Sequence, residues 1–374
     1  PNTELGKSQH ETCLHLVRSL ARDPRKSCVL VFVAGMADIV DLTEKFESAN
    51  LGGFCGPRRF DLVPVHSEIA HEEQLKAFES AEEGFFKVVI ATNSAESSVT
   101  LADCDDVIDL GTHKALRYDA ASHRAVLAPA WVSRASATQR AGRTGRVRPG
   151  RCWRLYSRQR FELLRPYELS EIHRQPLDAV VLNLRSMLDA PVGPMLAQTL
   201  EPPAADHVGR SLTALRKQGF LTEPRGDAKA AQYYDWEDTN GDPAAARRAA
   251  EALEGLLTPQ GRFVALIGVD LRLGRVIAVG NALGCGPVAA AAAAVLSLPR
   301  SPLRIANPLV HQDPDEYNAL VRDGLLARQR FDAGSYSEPL ALARLDAAYA
   351  SSLDRSSFCR AHCLAHGRAK QCAQ

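Results

Sequence analysis

The chemistry in this sequence is concentrated in one octapeptide, Gln139 to Arg146, QRAGRTGR, where two arginines are interleaved with glycines. Glycine at 142 and 145 lets the backbone turn tightly. Arg143 and Arg146 can then project the same way and offer planar donor forks to phosphate oxygens. That pattern suits a triphosphate, because a guanidinium stabilises charge developing on a transferring phosphoryl group, and an arginine finger of this kind is worth about 10³ to 10⁵ in rate. The plainer reading of Arg-Gly spacing taken alone is a solvated basic loop. Between Arg134 and Arg165, ten arginines stand against one acid, Glu162. This run is a local footprint for polyanions. The whole chain hides it: 45 basic and 44 acidic side chains leave a net charge of +1.

A second cluster near the C-terminus, Cys359, His362, Cys363, His366 and Cys372, superficially offers zinc ligands. The i,i+4 pairs Cys359/Cys363 and His362/His366 are expected on one helix, and no second ligand pair lies elsewhere at zinc-finger spacing, so no metal is expected. Nine cysteines, odd in number and scattered, fit reduced thiols in a cell interior better than a secreted disulfide framework. An intracellular setting is therefore expected, with the compartment open. The longest apolar stretch, Val288 to Leu298, falls short of the roughly 20 residues a spanning helix needs, so no membrane partner is expected. The opening residues PNTELGKSQHE carry no targeting pattern and no initiator Met, which suggests a processed or truncated chain.

The elements that must position this chemistry are those of a folded chain, with 45% hydrophobic and 24% charged residues. At 374 residues, a prior of roughly 150 per domain gives two or three units. CVLVFV (28–33), LVPV (62–65), FKVVIA (86–91) and DVIDL (106–110) read as short buried strands, and Met36 to Phe46 and His71 to Phe78 as helices. Strands alternating with helices predict a parallel α/β sheet. Lys114 to Val132 reads as a β-hairpin. Beyond Phe161 helices dominate, among them Leu177 to Leu188 and Leu212 to Phe220, while 224–250 reads as a loop or insertion. The six-alanine run Ala289 to Ala294 reads as close helix packing.

Taken in order, these segments resemble the DEAH/RHA family of superfamily 2 RNA helicases. VLVFVAGMADIVDL (29–42) resembles motif IV, VHSEIAHEEQLKAF (65–78) the segment after it, VVIATNSAESSVT (88–100) motif V and QRAGRTGR motif VI. VIDLG with Lys114 and Tyr118-Asp119, RPGRCWRLY, EIHRQPLDAVVLNLRSM, LTPQGRFVALIGVDLRLGRVI and LSLPRSP extend the resemblance over nearly the whole chain. It implies a RecA-like parallel sheet domain followed by a mostly α-helical winged-helix and ratchet region. The corresponding divisions are 1–160, 161–260 and 261–374, with the insertion near 224–250.

The resemblance also implies an ATP-dependent RNA helicase, with RNA, ATP and Mg²⁺ as ligands. Arg143 and Arg146 match the catalytic arginines, and Gln139, Phe78 and Ser98 match ATP-binding positions, Phe78 stacking on the base. Core packing is the plainer reading of Phe78. Thr92, Asn93, Thr100 and Lys114 match RNA-binding positions, while N-capping is the plainer role of the motif V hydroxyls and amide. The GxxxxGK[ST] loop and DEAH box are absent; Gly6-Lys7-Ser8 and Asp315-Glu316-Tyr317-Asn318 are decoys without the required strands. The Mg²⁺ ligands are therefore expected from a first RecA-like domain, an expected partner along with ribonucleoprotein or activator proteins. These residues alone are expected to hydrolyse no ATP. Motif V departs from the family at Ser94, where loss of an Ile is expected to loosen packing beneath the loop, and at Ser97; the family's OB-fold is also missing. The alternative is a catalytically inactive scaffold in ribonucleoprotein, for example ribosome, assembly.

Overall fold

The computed structural model describes residues 3–51, 58–67, 69, 74–98, 101, 103–145, 149–188, 190–225, 243–304, 306 and 313–372. The first part of the chain builds a five-stranded sheet from β1 (Cys28–Phe32), β2 (Arg59–Val65), β3 (Phe85–Ala91), β4 (Cys104–Asp109) and β7 (Arg151–Arg154). All pairings are parallel and the order is β2-β3-β1-β4-β7. Every residue of β1 and β4 is buried; β1 is the continuous apolar run expected of a strand covered on both faces, while β4 also buries Asp105, Asp106 and Asp109. The helices α1 (Thr3–Leu20) and α2 (Met36–Leu51) belong to the same unit. β7 is an edge strand with exposed arginines at both ends, a pattern too polar to stand out in sequence.

Residues 71–73 of the expected helix lie outside the described residues, and the rest is a single 3₁₀ turn, Leu75–Phe78. The hairpin is present as β5 (Thr112–Asp119) and β6 (Arg124–Trp131).

Contacts divide the chain into a first unit, Pro1–Arg117 with Ala125–Arg174, and a second, Tyr118–Arg124 with Gln175–Gln374. In the first unit, α3 (Ala95–Ser98), α4 (Arg134–Ala141) and α5 (Arg158–Glu162) follow the strands. The second is helical apart from the hairpin tip and isolated bridges: α6 (Asp178–Met187), α7 (Val192–Ala197), α8 (Ala205–Lys217), α9 (Pro243–Glu254), α10 (Pro259–Ile267), α11 (Leu271–Ala282), α12 (Gly286–Ser297), α13 (Pro314–Asp332), α14 (Glu338–Ser351), α15 (Arg355–Ala361) and α16 (His366–Cys372).

Two local expectations are corrected. The stretch read as a loop or insertion over 224–250 ends in α9, because PAAARRAAEALE joins a proline at its first position to a run of strong helix formers; residues 226–242 lie outside the described residues. The C-terminal cysteines and histidines do not share one helix. Cys363 takes a left-handed conformation, φ 55°, and Leu364 bridges Leu303, which breaks the segment into α15 and α16. Cys359 instead packs in a core with Tyr349, Leu345 and Leu364. Among the described residues, no group of three or more His, Cys, Asp or Glu side chains could hold a metal ion.

Candidate functional site

In a parallel sheet, ligands collect at the carboxyl ends of the strands, where the loops turn into helices. Here those ends are Phe32, Ala91, Asp109 and Arg154, in register across neighbouring strands. The motif IV loop leaves β1, the motif V turn leaves β3 and the hairpin follows β4. The octapeptide spans the end of α4 and the turn beyond it.

One side chain ties these loops together. Arg140 is fully buried, and its Nε donates to Glu96 Oε1 of α3 at 2.7 Å while its Nη1 donates to Asp109 Oδ1 at 2.7 Å. Ser136, one helical turn earlier, donates to Glu96 Oε2 at 2.7 Å. Both carboxylate oxygens of Glu96 are thus held by α4. Asp109, itself fully buried, also accepts from the Gly111 N–H at 2.9 Å and from the Tyr156 hydroxyl at 2.8 Å. Burial works against the Arg140 charge, yet Asp109 and Glu96 outweigh it and raise the pKa. Burial also raises the Tyr156 phenol, which the Asp109 charge pushes further. The Arg140 guanidinium lies 4.9 Å over the Phe32 ring, so the ends of β1 and β4 and helices α3 and α4 meet on one cation.

Around this anchor the octapeptide loop is built tightly. Ser133 caps α4 by accepting from the Ser136 N–H at 3.1 Å. Past the helix, Thr144 Oγ1 donates toward the carbonyls of Cys104 and Asp105 at 2.9 and 2.8 Å, and Gly145 takes φ 80°. Arg143 is half-buried, with its Nε on the Gln139 carbonyl at 3.3 Å. Gln139 is exposed on α4. Arg146 lies outside the described residues.

The other expected site residues fall as follows. Phe78 is 49% exposed at the end of its 3₁₀ turn, so it is not packed in the core. That turn is held from below by Lys87, a buried lysine on β3 whose Nζ donates to the Ala77 and Glu79 carbonyls and pairs with Asp103 at 2.9 Å. Thr92 is buried, its hydroxyl 3.1 Å from Ser94 Oγ, and its carbonyl accepts from the Ala95 N–H; it shapes the turn into α3. Asn93 is exposed on that turn. Ser94 is exposed too, so the Ile-to-Ser departure sits at the surface of the turn and not beneath it, contrary to expectation. Ser98 ends α3; its side chain and all of Thr100 lie outside what is described. Lys114 is exposed, and its aliphatic stem lies across Gly35 in the motif IV loop, where an added Cβ would meet Lys114 Cε at 2.7 Å.

Reading the sequence for projecting arginines missed Arg140, Glu96, Asp109 and Lys87. The signal was there: Asp109 and Lys87 sit inside apolar strand text, and a buried charge demands a partner.

The hairpin tip, within the second unit, is clasped by side chains. Tyr118 Oη lies 2.7 Å from His123 Nδ1, His123 Nε2 lies 2.7 Å from Asp178 Oδ1, and Tyr118 stacks on His207 with ring centroids 3.9 Å apart. His123 holds φ 51°, a strained turn position that this clasp over-determines.

Comparison with known proteins gives the site a family. Residues 11–148 match the helicase conserved C-terminal domain. The chain is 36% identical over 278 residues to the chloroplastic DExH-box ATP-dependent RNA helicase DExH4 of Arabidopsis thaliana, which covers 74% of this chain and 17% of that relative. It is 31% identical over 288 residues to the ATP-dependent RNA helicase DHX29 of Homo sapiens, covering 76% of this chain and 19% of that relative. The crystal structure of the E. coli DExH-box NTPase HrpB shares the fold, with a TM-score of 0.59, 24% identity, and 84% of this chain and 34% of that one covered. The chain thus spans about a fifth of the length of the curated relatives it matches. With motifs IV and V leaving the carboxyl ends of β1 and β3 and motif VI spanning the end of α4 and the turn beyond it, the chain belongs to the DEAH-type superfamily 2 helicases and corresponds to the C-terminal part of such a protein.

Proposed function

We propose that this chain is the C-terminal portion of an ATP-dependent RNA helicase, coupling ATP hydrolysis to RNA translocation, unwinding or ribonucleoprotein remodelling. In this reading residues 1–160 are the second RecA-like domain, 161–260 the winged-helix domain and 261–374 the ratchet. ATP is clamped against a first RecA-like domain that supplies the Mg²⁺ ligands. Arg143 and Arg146 meet the γ-phosphate and stabilise charge on the phosphoryl group, Gln139 and Ser98 contribute polar contacts, and Phe78 stacks on the base. Thr92, Asn93, Thr100 and Lys114 serve the RNA side, Thr92 through the shape of its turn. RNA is the polyanion the local arginine run suits, and activator or ribonucleoprotein partners are expected beside it.

The observation that carries this reading is the Arg140 anchor, which holds the motif V helix and the motif VI loop on one rigid base while leaving Phe78 and Gln139 exposed. An intracellular setting is part of the proposal. It is supported by the cysteines, eight free thiols among the described residues. No described helix is long and apolar enough to cross a membrane.

The test is turnover by the polypeptide that joins this chain to a first RecA-like domain, with and without RNA. RNA should stimulate hydrolysis, and all four nucleoside triphosphates should be used, because a stacking ring is indifferent to the base. Phe78→Ala should raise KM for all four alike with kcat little changed. Absence of RNA-stimulated turnover would favour the scaffold reading.

A further inference from the structure

We propose that a groove along α11, in the second unit, docks an acidic amphipathic helix of a partner protein. The groove has a volume of about 700 Å³. Its apolar wall is a stripe along α11 and its C-cap: Val276, Val279 and Leu283, at i, i+3 and i+7, are 47%, 44% and 76% exposed. Three aliphatic side chains in a row facing water on one helix face form the complement of a second helix carrying the same spacing. The floor is small. Gly280 and Ala289 meet where α11 and α12 approach so closely that a Cβ on Gly280 would sit 2.4 Å from that of Ala289. Small residues there leave the depth into which a partner's leucines fit.

Charge selects the occupant. Arg272 and Arg275, one turn apart at the start of the stripe, line the same groove and are both exposed. Among the described residues neither guanidinium has a hydrogen bond or ion pair; the Arg272 backbone N–H alone is used, on the Asp270 cap. Among the described residues, no acidic side chain lines the groove to neutralise them. The matching segment therefore carries carboxylates at one end and an apolar stripe beyond. Nucleic acid fits less well, since among the described residues no aromatic ring lines the groove for a base to stack on. This surface is separate from the nucleotide chemistry of the first unit and does not depend on it.

The probe is a fluorescein-labelled 16-residue synthetic helix with Leu at i, i+3 and i+7 and two Glu at one end, titrated with the 374-residue chain by anisotropy. A version with Lys for Glu and a U12 oligoribonucleotide serve as comparisons. The acidic peptide should bind roughly tenfold tighter than the Lys version, as two partly exposed charge pairs allow. Arg272→Glu with Arg275→Glu should reverse that order, and Val279→Asp should remove binding of both, with the thermal unfolding of each variant unchanged because all three positions are exposed. Cys285, an exposed thiol lining the groove, should react more slowly with a maleimide when the acidic peptide is present. Equal affinity for the two peptides, an unaltered order in the double variant, unprotected Cys285, displacement of the peptide by U12, or self-association of the chain through this face lost in Val279→Asp would each overturn the proposal.

Discussion

Replacing Arg140 by Met removes the cation on which motif V and motif VI converge while keeping most of its length. The substitution strips Asp109, fully buried, of a 2.7 Å ion pair, and Glu96 of another. Asp109 keeps Tyr156 and the Gly111 N–H, but its charge is then buried without a counter-ion. Breaking a buried pair by removing one partner costs about 3–5 kcal/mol. In a unit of this size each kcal/mol moves Tm by about 2–4 °C, so a fall of about 6–20 °C is expected. Arg140→Lys restores the charge but not the fork, and should recover only part of the loss, since one ammonium cannot serve both carboxylates with the same geometry. Glu96→Gln combined with Arg140→Met should cost clearly less than the sum of the two singles, because the pair is already broken in either one. Thermal unfolding followed by tryptophan fluorescence, in a Trp236→Phe background, reads the first unit through Trp131 and Trp153. A Tm for Arg140→Met within about 1 °C of the parent, or strict additivity with Glu96→Gln, would refute the claim that this cation holds the two loops.

Other consequences are as direct. His10 lies beside Asp41 and Asp38; burial works to lower its pKa, but hydrogen bonds and charge from the two aspartates raise it above the ordinary 6.5. Its contribution to stability is therefore complete below about pH 6.5 and lost as pH rises through the higher folded value, so the Tm gap between parent and His10→Gln should shrink from pH 6 toward pH 9; a constant gap contradicts this. Lys87→Met should destabilise by about 3 kcal/mol and speed amide hydrogen exchange at Ala77–Glu79, read by mass spectrometry, because the turn beneath Phe78 loses its cation. Gly111→Ala should cost more than about 2 kcal/mol in urea unfolding, since φ is 78° and the new Cβ would meet Tyr156 Cδ1 at 2.5 Å; near-parent stability would show that Tyr156 can yield.

The parallel sheet was legible because CVLVFV is apolar throughout, and FKVVIA and DVIDL are apolar apart from Lys87, Asp106 and Asp109; near-continuous apolar runs report burial on both faces directly. The hairpin was legible from alternation. The parts that escaped depend on the third dimension. Arg140 and Arg143 look alike in an arginine-rich octapeptide, yet one is sealed against Glu96 and Asp109, 44 and 31 residues away, and the other is half-exposed. Ser94 reads as a core defect when compared with Ile, but the turn carries it to the surface. Cys359 and Cys363 have helical spacing, and the bridge between Leu303 and Leu364 breaks the helix from outside. In each case a partner distant in sequence decides, and spacing cannot name it.

The most direct test of the central claim is kcat for RNA-stimulated ATP hydrolysis in Arg143→Ala and Arg146→Ala, measured in the polypeptide that includes a first RecA-like domain. If these guanidiniums stabilise the transferring phosphoryl group, each substitution lowers kcat by about 10³ or more while Tm and RNA affinity stay near the parent values. Turnover within about threefold of the parent in both variants would contradict the account.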